Sequence, residues 1–347
     1  MDTKTSVVAI IGQPNSGKST LLNYLMKDNL SIVTNKVQTT RFSIKGILNY
    51  ENTQLVLIDT PGLFEPRQDH LLEKYIVKNA INSIKYADIL VFLLDIMQIT
   101  RVFRNEITYL NQSQYNNTDI SPNKNHSDID NINQNQLKDL PQSPEMREFI
   151  DINRTLMKKN RKNSPLIFAV NKFDLYNEHL KHNHNNFAIY PNKHDILKII
   201  NYIKKDFHEI HNISATSGDG IENLISSLCQ ISPQGEWNYD CKTDLTPQKI
   251  AEEITREQIY LQLNKELPYS IHIYTESWNE TIDKIVIKQA ICVIKNSQKV
   301  IVIGENGKRI KEIGISSREK ISLKFNKNID LFLFVKVKPD WIKQLSN

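Results

Sequence analysis

The chain has 347 residues, a length that gives two domains on a scale of about 150 residues per domain. Hydrophobic residues make up 39% and charged residues 24%, so there is material for packed cores and wholesale disorder is excluded. The longest strictly apolar run, Ile89 to Leu94, is far below the roughly 20 residues that cross a bilayer, which excludes a transmembrane helix. Met1 to Ser6 is polar and leads into a short apolar stretch without the h-region of a secretory signal, so a cytoplasmic protein is expected. Cys229, Cys241 and Cys292 are too few and too widely spaced for a disulfide framework or a CxxC zinc site, and read as free thiols. The net charge of +5 hides an asymmetry: residues 281–347 carry 14 Lys plus Arg against 6 Asp plus Glu, and the remainder 30 against 33. A basic end on a near-neutral body fits either a polyanion partner or a solvated lysine-rich face.

In chain order, Val7 to Ile11 reads as a buried strand. It is followed by Gly12-Gln13-Pro14-Asn15-Ser16-Gly17-Lys18-Ser19, which matches GxxxxGK[ST] and opens a helix over Lys18 to Met26. The glycines let backbone N–H groups wrap a phosphate, Lys18 reaches the β- and γ-phosphates, and Ser19, followed by Thr20, offers a hydroxyl to Mg2+. Such a match arises by chance about once in a hundred chains of this length. Beyond it lies Lys36-Val37-Gln38-Thr39-Thr40-Arg41, a loop in which one threonine completes magnesium coordination only when the γ-phosphate is present. Thr39 and Thr40 compete for that role, and the sequence does not choose.

Ser43 to Tyr50 alternates as a half-buried strand, and Leu55 to Ile58 is a buried one ending in Asp59-Thr60-Pro61-Gly62. A carboxylate at Asp59 holds magnesium, and the Gly62 N–H senses the γ-phosphate. Leu63 stands where Ras-like enzymes carry the glutamine that orients the attacking water, so hydrolysis is expected to be slow. A helix over His70 to Lys85 and a strand over Ile89 to Leu94 follow. The connection to the next strand, Leu166 to Val170, should hold one crossover helix but is more than twice as long as that needs. Residues 111–136 include eight Asn, and Asn111 to Gln142 reads as a disordered surface insertion.

Asn171-Lys172-Phe173-Asp174 ends that strand. A carboxylate at Asp174 accepts hydrogen bonds from N1–H and the exocyclic amine of guanine and repels adenine, which selects GTP over ATP. His179, His182 and His184 lie in an Asn-rich polar stretch and read as a solvated loop rather than a metal site. Ile210 to Ile213 is a final strand, and Ser214-Ala215 after it offers a backbone N–H to the guanine carbonyl oxygen. Strands alternating with helices, with every motif at a strand's carboxyl end, give an α/β, doubly wound, mostly parallel sheet over residues 1–230.

Residues 231–247 read as a linker, and Gln248 to Glu266 as the first helix of a second, α+β domain over 248–347. Tyr260, Tyr269, Tyr274 and Trp278 read as core. Val302-Ile303-Gly304-Glu305-Asn306-Gly307-Lys308-Arg309-Ile310 has the VIGxxGxxI form in which a GxxG loop clamps a nucleic-acid backbone. Glu305 opposes a phosphate there, so contact is expected to rest on the backbone of Gly304 to Gly307, Asn306 included, and on Lys308, Arg309 and Lys311.

GQPNSGKST, QTTR, DTPGL, NKFD and SA, with Glu266-Leu-Pro-Tyr-Ser270 before the GxxG loop and Val335-Lys-Val-Lys338 after it, resemble the Era family of ribosome-assembly GTPases with a C-terminal type II KH domain. The resemblance spans nearly the whole chain apart from the Asn-rich insertion. It implies a monomeric, magnesium-dependent GTPase that binds small-subunit (16S) ribosomal RNA, not DNA, and acts on the pre-30S particle. Asn15 resembles the residue that, in related GTPases, binds a K+ ion serving in place of an arginine finger, with Lys18 as the other catalytic group. Peripheral association with the inner membrane is known in the family, but no amphipathic helix for it is evident here. Residues Ile342 to Asn347 are short for the family's last helix. The alternatives are a nonhydrolysing GTP-dependent RNA-binding switch and a tRNA-modification GTPase, which would give no reason for a C-terminal GxxG.

Overall fold

The structure, a computed structural model, describes residues 2–34, 40–64, 66–67, 70–115, 141, 143–158, 164–182, 190–264 and 267–344. Six strands, β1 (Lys4–Gly12), β2 (Ile44–Tyr50), β3 (Thr53–Asp59), β4 (Ile89–Asp95), β5 (Leu166–Asn171) and β6 (Glu209–Asn212), form one sheet in the order β2-β3-β1-β4-β5-β6. Only β2 runs antiparallel to its neighbour. The inner strands are apolar without alternation because both faces are covered. Ala9, Ile11, Phe92 and Phe168 enter one core, whereas Val8, Ile10, Val91 and Ile167 on the same strands enter the other. Strand order reverses between β1 and β4, which opens a crevice at the carboxyl ends where the GxxxxGKS loop lies.

Helices α1 (Lys18–Met26) and α7 (Ile221–Ile231) cover one face. The other carries α2 (Leu71–Tyr86), α3 (Ile96–Tyr115), α4 (Pro144–Met157) and α6 (Lys193–Ile203), with α5 (Phe173–His182) following β5. Among its described residues the crossover from β4 to β5 therefore holds two helices, α3 and α4, where one was expected. Glu106 on α3 fastens the start of α4 by accepting from the Ser143 N–H at 2.8 Å. α3 also runs to Tyr115, into the stretch read as disordered from Asn111; 116–140 and 142 lie outside the described residues. His179 is on α5 rather than in a loop, and His184 lies outside the described residues.

Residues 231–247 are bound to the sheet rather than free. Gly235 N–H donates to Thr3 O at 3.0 Å, Ile47 N–H to Lys242 O at 2.8 Å, and the Gln54 amide to Tyr239 O at 2.8 Å. The segment thus covers the exposed edge of β2, whose unpaired backbone would otherwise invite another strand. Thr246 then caps α8 (Pro247–Gln262), its hydroxyl accepting from Lys249 N–H, with Pro247 in the first turn where its missing N–H costs nothing. α8 ends at Gln262, short of the expected Glu266, which lies outside the described residues.

The second sheet, β7 (His272–Glu280), β8 (Lys284–Val293) and β9 (Asn328–Val337), is antiparallel between β7 and β8 and parallel between β8 and β9. α9 (Asn296–Ile303) and α10 (Lys308–Phe325) precede β9, giving the α-β-β-α-α-β order of a type II KH fold. Tyr260 is fully buried, and Trp278 packs edge-on against Phe325 at 5.5 Å. The last described helix, α11 (Trp341–Gln344), is four residues long, and Trp341 stacks on His272 at 5.1 Å.

Candidate nucleotide site and RNA-binding loop

The GxxxxGKS loop is left-handed at Asn15 (φ 63°) and Gly17 (φ 98°). A Cβ on Gly17 would stand 2.2 Å from the Asn171 amide nitrogen, so only glycine fits both the backbone and the space. Lys18 Nζ donates to the carbonyls of Gln13 at 2.8 Å and Gly12 at 3.2 Å. Burial pulls its pKa down to about 8, partly offset by the Asp59 carboxylate. Pro14, Asn15, Gly17, Lys18, Thr20 and Lys172 help line a cleft of about 290 Å³.

Asp59 is buried against Ser19 and Thr40, which line this cleft. Its Oδ2 accepts from Ser19 Oγ and Ser31 Oγ, both at 2.6 Å, and Thr40 Oγ1 lies 2.9 Å from Ser19 Oγ. Of the two competing threonines, Thr40 is in this cluster; Gln38 and Thr39 lie outside the described residues. Asp59 Oδ1 is buried with no hydrogen-bond partner among the described residues. Burial pushes the carboxyl's pKa up, against the pull of the three hydroxyls and Lys18. An orphaned carboxylate oxygen beside two hydroxyls is a hard, all-oxygen donor set, so these residues fit Mg2+, which takes its remaining ligands from phosphate and water. Ser31 is a member that the sequence did not disclose. It is held by Asn23, whose side chain accepts from Leu30 N–H and Ser31 N–H and donates to Ser31 O.

Thr60 and Leu63 stay out of the cleft. Thr60 Oγ1 donates to Ile10 O at 2.7 Å, and Leu63 is buried in the core while its N–H donates to Gly12 O at 3.2 Å. Pro61 is also buried, and a Cβ on Gly62 would meet Pro14 Cα at 2.9 Å, so this turn packs directly on the phosphate loop.

At the end of β5, Asn171 bridges loops. Its amide donates to Ser16 O and its carbonyl accepts from Ala215 N–H, both at 2.9 Å. Lys172 pairs with Asp95 at 2.6 Å, and Phe173 packs on Tyr176 at 5.2 Å. The half-buried Asp174 carboxylate has no partner among the described residues. The N–H groups expected to meet the guanine oxygen are spent within the protein, Ser214 on Asp219 O and Ala215 on Asn171. The next amide, of the exposed Thr216, donates to no acceptor among the described residues.

In the second domain, Gly304, Asn306 and Gly307 all have positive φ (75°, 47° and 75°), turning the chain into the N-terminus of α10. A helix N-terminus there presents free N–H groups to a phosphate. Glu305, Lys308 and Lys311 are exposed. Arg309, also exposed, reaches across the loop to donate from one nitrogen to Ile301 O at 2.8 Å. Beside it, Leu263, Asn264, Leu267, Ser270, Gln298 and Ile301 line a groove of about 460 Å³ that the sequence alone did not reveal.

Both halves of the chain resemble known proteins. Residues 7–125 match the family model described as 50S ribosome-binding GTPase, and 266–342 the KH domain model. GTPase Era of Rickettsia conorii is 37% identical over 352 residues, covering 97% of this chain and 82% of that protein. The chain belongs to the Era family of GTPases. GTPase Era of Ehrlichia canis is 34% identical, covering 100% and 97%. Era solved in complex with MgGDPNP and nucleotides 1506–1542 of 16S ribosomal RNA superposes with a TM-score of 0.73 at 28% identity, covering 99% of this chain and 96% of that one. Era of Aquifex aeolicus, a variant bound to GDP·AlF4−, gives 0.74 at 27%, with the same coverage. Among the described residues no helix is long and apolar enough to cross a membrane.

Proposed function

We propose that this Era-family GTPase binds the 3′ part of small-subunit ribosomal RNA through its KH domain, in the pre-30S particle, and that its nucleotide state governs that binding. The observation that carries the reading is the near-full-length similarity to an Era solved with both MgGDPNP and 16S RNA, which takes in the groove and GxxG loop as well as the nucleotide cleft. The family model named for the 50S subunit ends at residue 125 and does not include the KH half, so it does not decide the partner.

Within the cleft, Lys18 and the loop amides stabilise charge on the β- and γ-phosphates, and Ser19, Thr40 and Asp59 hold Mg2+. The bound metal neutralises the charge of the phosphate oxygens. Asp174 reads the guanine edge, and the Thr216 N–H, in place of those of Ser214 and Ala215, meets the carbonyl oxygen. With Leu63 in the core, no side chain at that position orients water; backbone groups or a K+ ion near Asn15 take that part, and turnover is slow. On RNA, the left-handed GxxG backbone with Lys308 and Lys311 takes phosphates, and Arg309 keeps the loop in shape. The test is affinity for a 3′-terminal small-subunit RNA segment with a GTP analogue and with GDP: tighter binding in one nucleotide state supports the reading, and equal or absent binding in both rejects it.

A further inference from the structure

Arg41 turns away from the nucleotide cleft. It directly follows Thr40, whose hydroxyl is in the Ser19–Asp59 cluster, and it is only 2% exposed. Its guanidinium donates to Pro268 O at 2.7 Å, to Tyr260 Oη at 3.0 Å and to Ile271 O, all in the KH half of the chain. Pro268 belongs to a 3-10 turn, Leu267–Ser270, and Leu267 and Ser270 line the groove beside the GxxG loop. One residue thus separates a magnesium-site hydroxyl from the wall of the RNA groove. The next residue reinforces the junction: Phe42 lies under the Lys249 ammonium at 4.8 Å and edge-on to Tyr75 at 6.2 Å.

A buried guanidinium gripping two carbonyls and a phenol is a stiff, planar fork, and its loss leaves buried acceptors unpaired. Among the described residues the Thr40 side chain is held only by its hydroxyl bonds to Ser19 and Asp59. We propose that Arg41 is a positioning residue for GTP hydrolysis: the KH half holds it, it holds Thr40 at the magnesium site, and occupancy of the RNA groove reaches the cleft through it. This rests on the reading above that GTP and RNA occupy those two sites. Because coupling between binding sites is reciprocal, the same contact lets an ordered Thr40 fix the Leu267–Ser270 wall for RNA.

The test uses the full chain, with a GTP analogue, GDP and a 3′-terminal small-subunit RNA segment as ligands. For wild type, Arg41→Lys and Arg41→Met, RNA affinity is measured in both nucleotide states, and kcat and KM for GTP are measured with RNA present. Arg41→Lys keeps the buried charge and loses the fork, so it guards against a Met variant that fails to fold. The wild type is expected to show a ratio of RNA affinities between nucleotide states in the range of about 5–150-fold. Both variants should bring that ratio close to one and lower RNA-stimulated kcat, while GDP affinity and KM stay within about twofold of wild type. A coupled wild type whose coupling survives in the folded variants overturns this proposal alone. A wild type whose RNA affinity ignores the nucleotide overturns it together with the functional reading beneath it.

Discussion

The Asn171 side-chain amide donates to the backbone carbonyl of Ser16 at 2.9 Å, tying the loop after β5 to the phosphate loop after β1. Because the other end of the same side chain accepts from Ala215 N–H, one residue sets the spacing of three loops around the nucleotide. Asn171→Ala leaves a buried carbonyl and a buried N–H unpaired, each costing about 1–3 kcal/mol. Chemical denaturation should show a loss of that order, and calorimetry a GDP affinity reduced by about tenfold or more. Unchanged stability and affinity would show that the bridge does not hold the site.

Lys18 gives the site a pH signature. Its pKa is about 8 in the free protein against 10.5 for an ordinary lysine, so between those values the unfolded chain holds more protons and stability rises with pH. A bound nucleotide reverses the balance, since phosphate charge favours the ammonium form. Binding therefore takes up most of one proton near pH 9 and weakens as pH rises above about 8. Calorimetry of GDP binding in two buffers of different ionisation enthalpy measures that uptake, and Lys18→Met should abolish it.

Leu63 is part of the hydrophobic core, so a glutamine there would not reach water in the cleft. Leu63→Gln buries an amide in apolar surroundings and should cost about 1–3 kcal/mol without speeding hydrolysis. A faster enzyme at unchanged melting temperature would mean that the side chain swings into the cleft.

What the sequence made legible, and what it did not, follows from the range of the interactions. The inner strands read directly because burial on both faces leaves continuous apolar runs, and GxxxxGKS read directly because its chemistry is contiguous. Ser31, Arg41 and the Asn171 bridge owe their roles to partners tens or hundreds of residues away, and no local pattern encodes a partner. Thr39 and Thr40 differ by one position and no local pattern ranks them; the contact of Thr40 with Ser19 lies 21 residues away in sequence. The length of α3 was obscured because its last turn is built from the same Asn and Gln residues as the stretch after it. The segment 231–247 has a linker's composition, yet Gln54 and Lys45 on the sheet hold it through Tyr239 and Thr243.

In the KH half, a Cβ on Gly304 would meet Arg309 Cβ at 2.7 Å, and both loop glycines lie at φ 75°. Replacing Gly304 and Gly307 by Asp adds strain, bulk and negative charge where a phosphate backbone must approach. RNA affinity should fall below detection in a gel-shift assay while GDP affinity is unaffected; RNA binding that survives would move the interface away from this loop.

The central claim is that one chain hydrolyses GTP at the Lys18–Ser19–Thr40–Asp59 cleft and answers to RNA at the Gly304–Gly307 loop. Single-turnover phosphate release by the full-length protein with Mg2+, in K+ and in Na+, with and without the 3′-terminal small-subunit RNA segment, tests it most directly. Slow release in K+ that RNA accelerates is the predicted result. No release in either salt, even with RNA present, would contradict it.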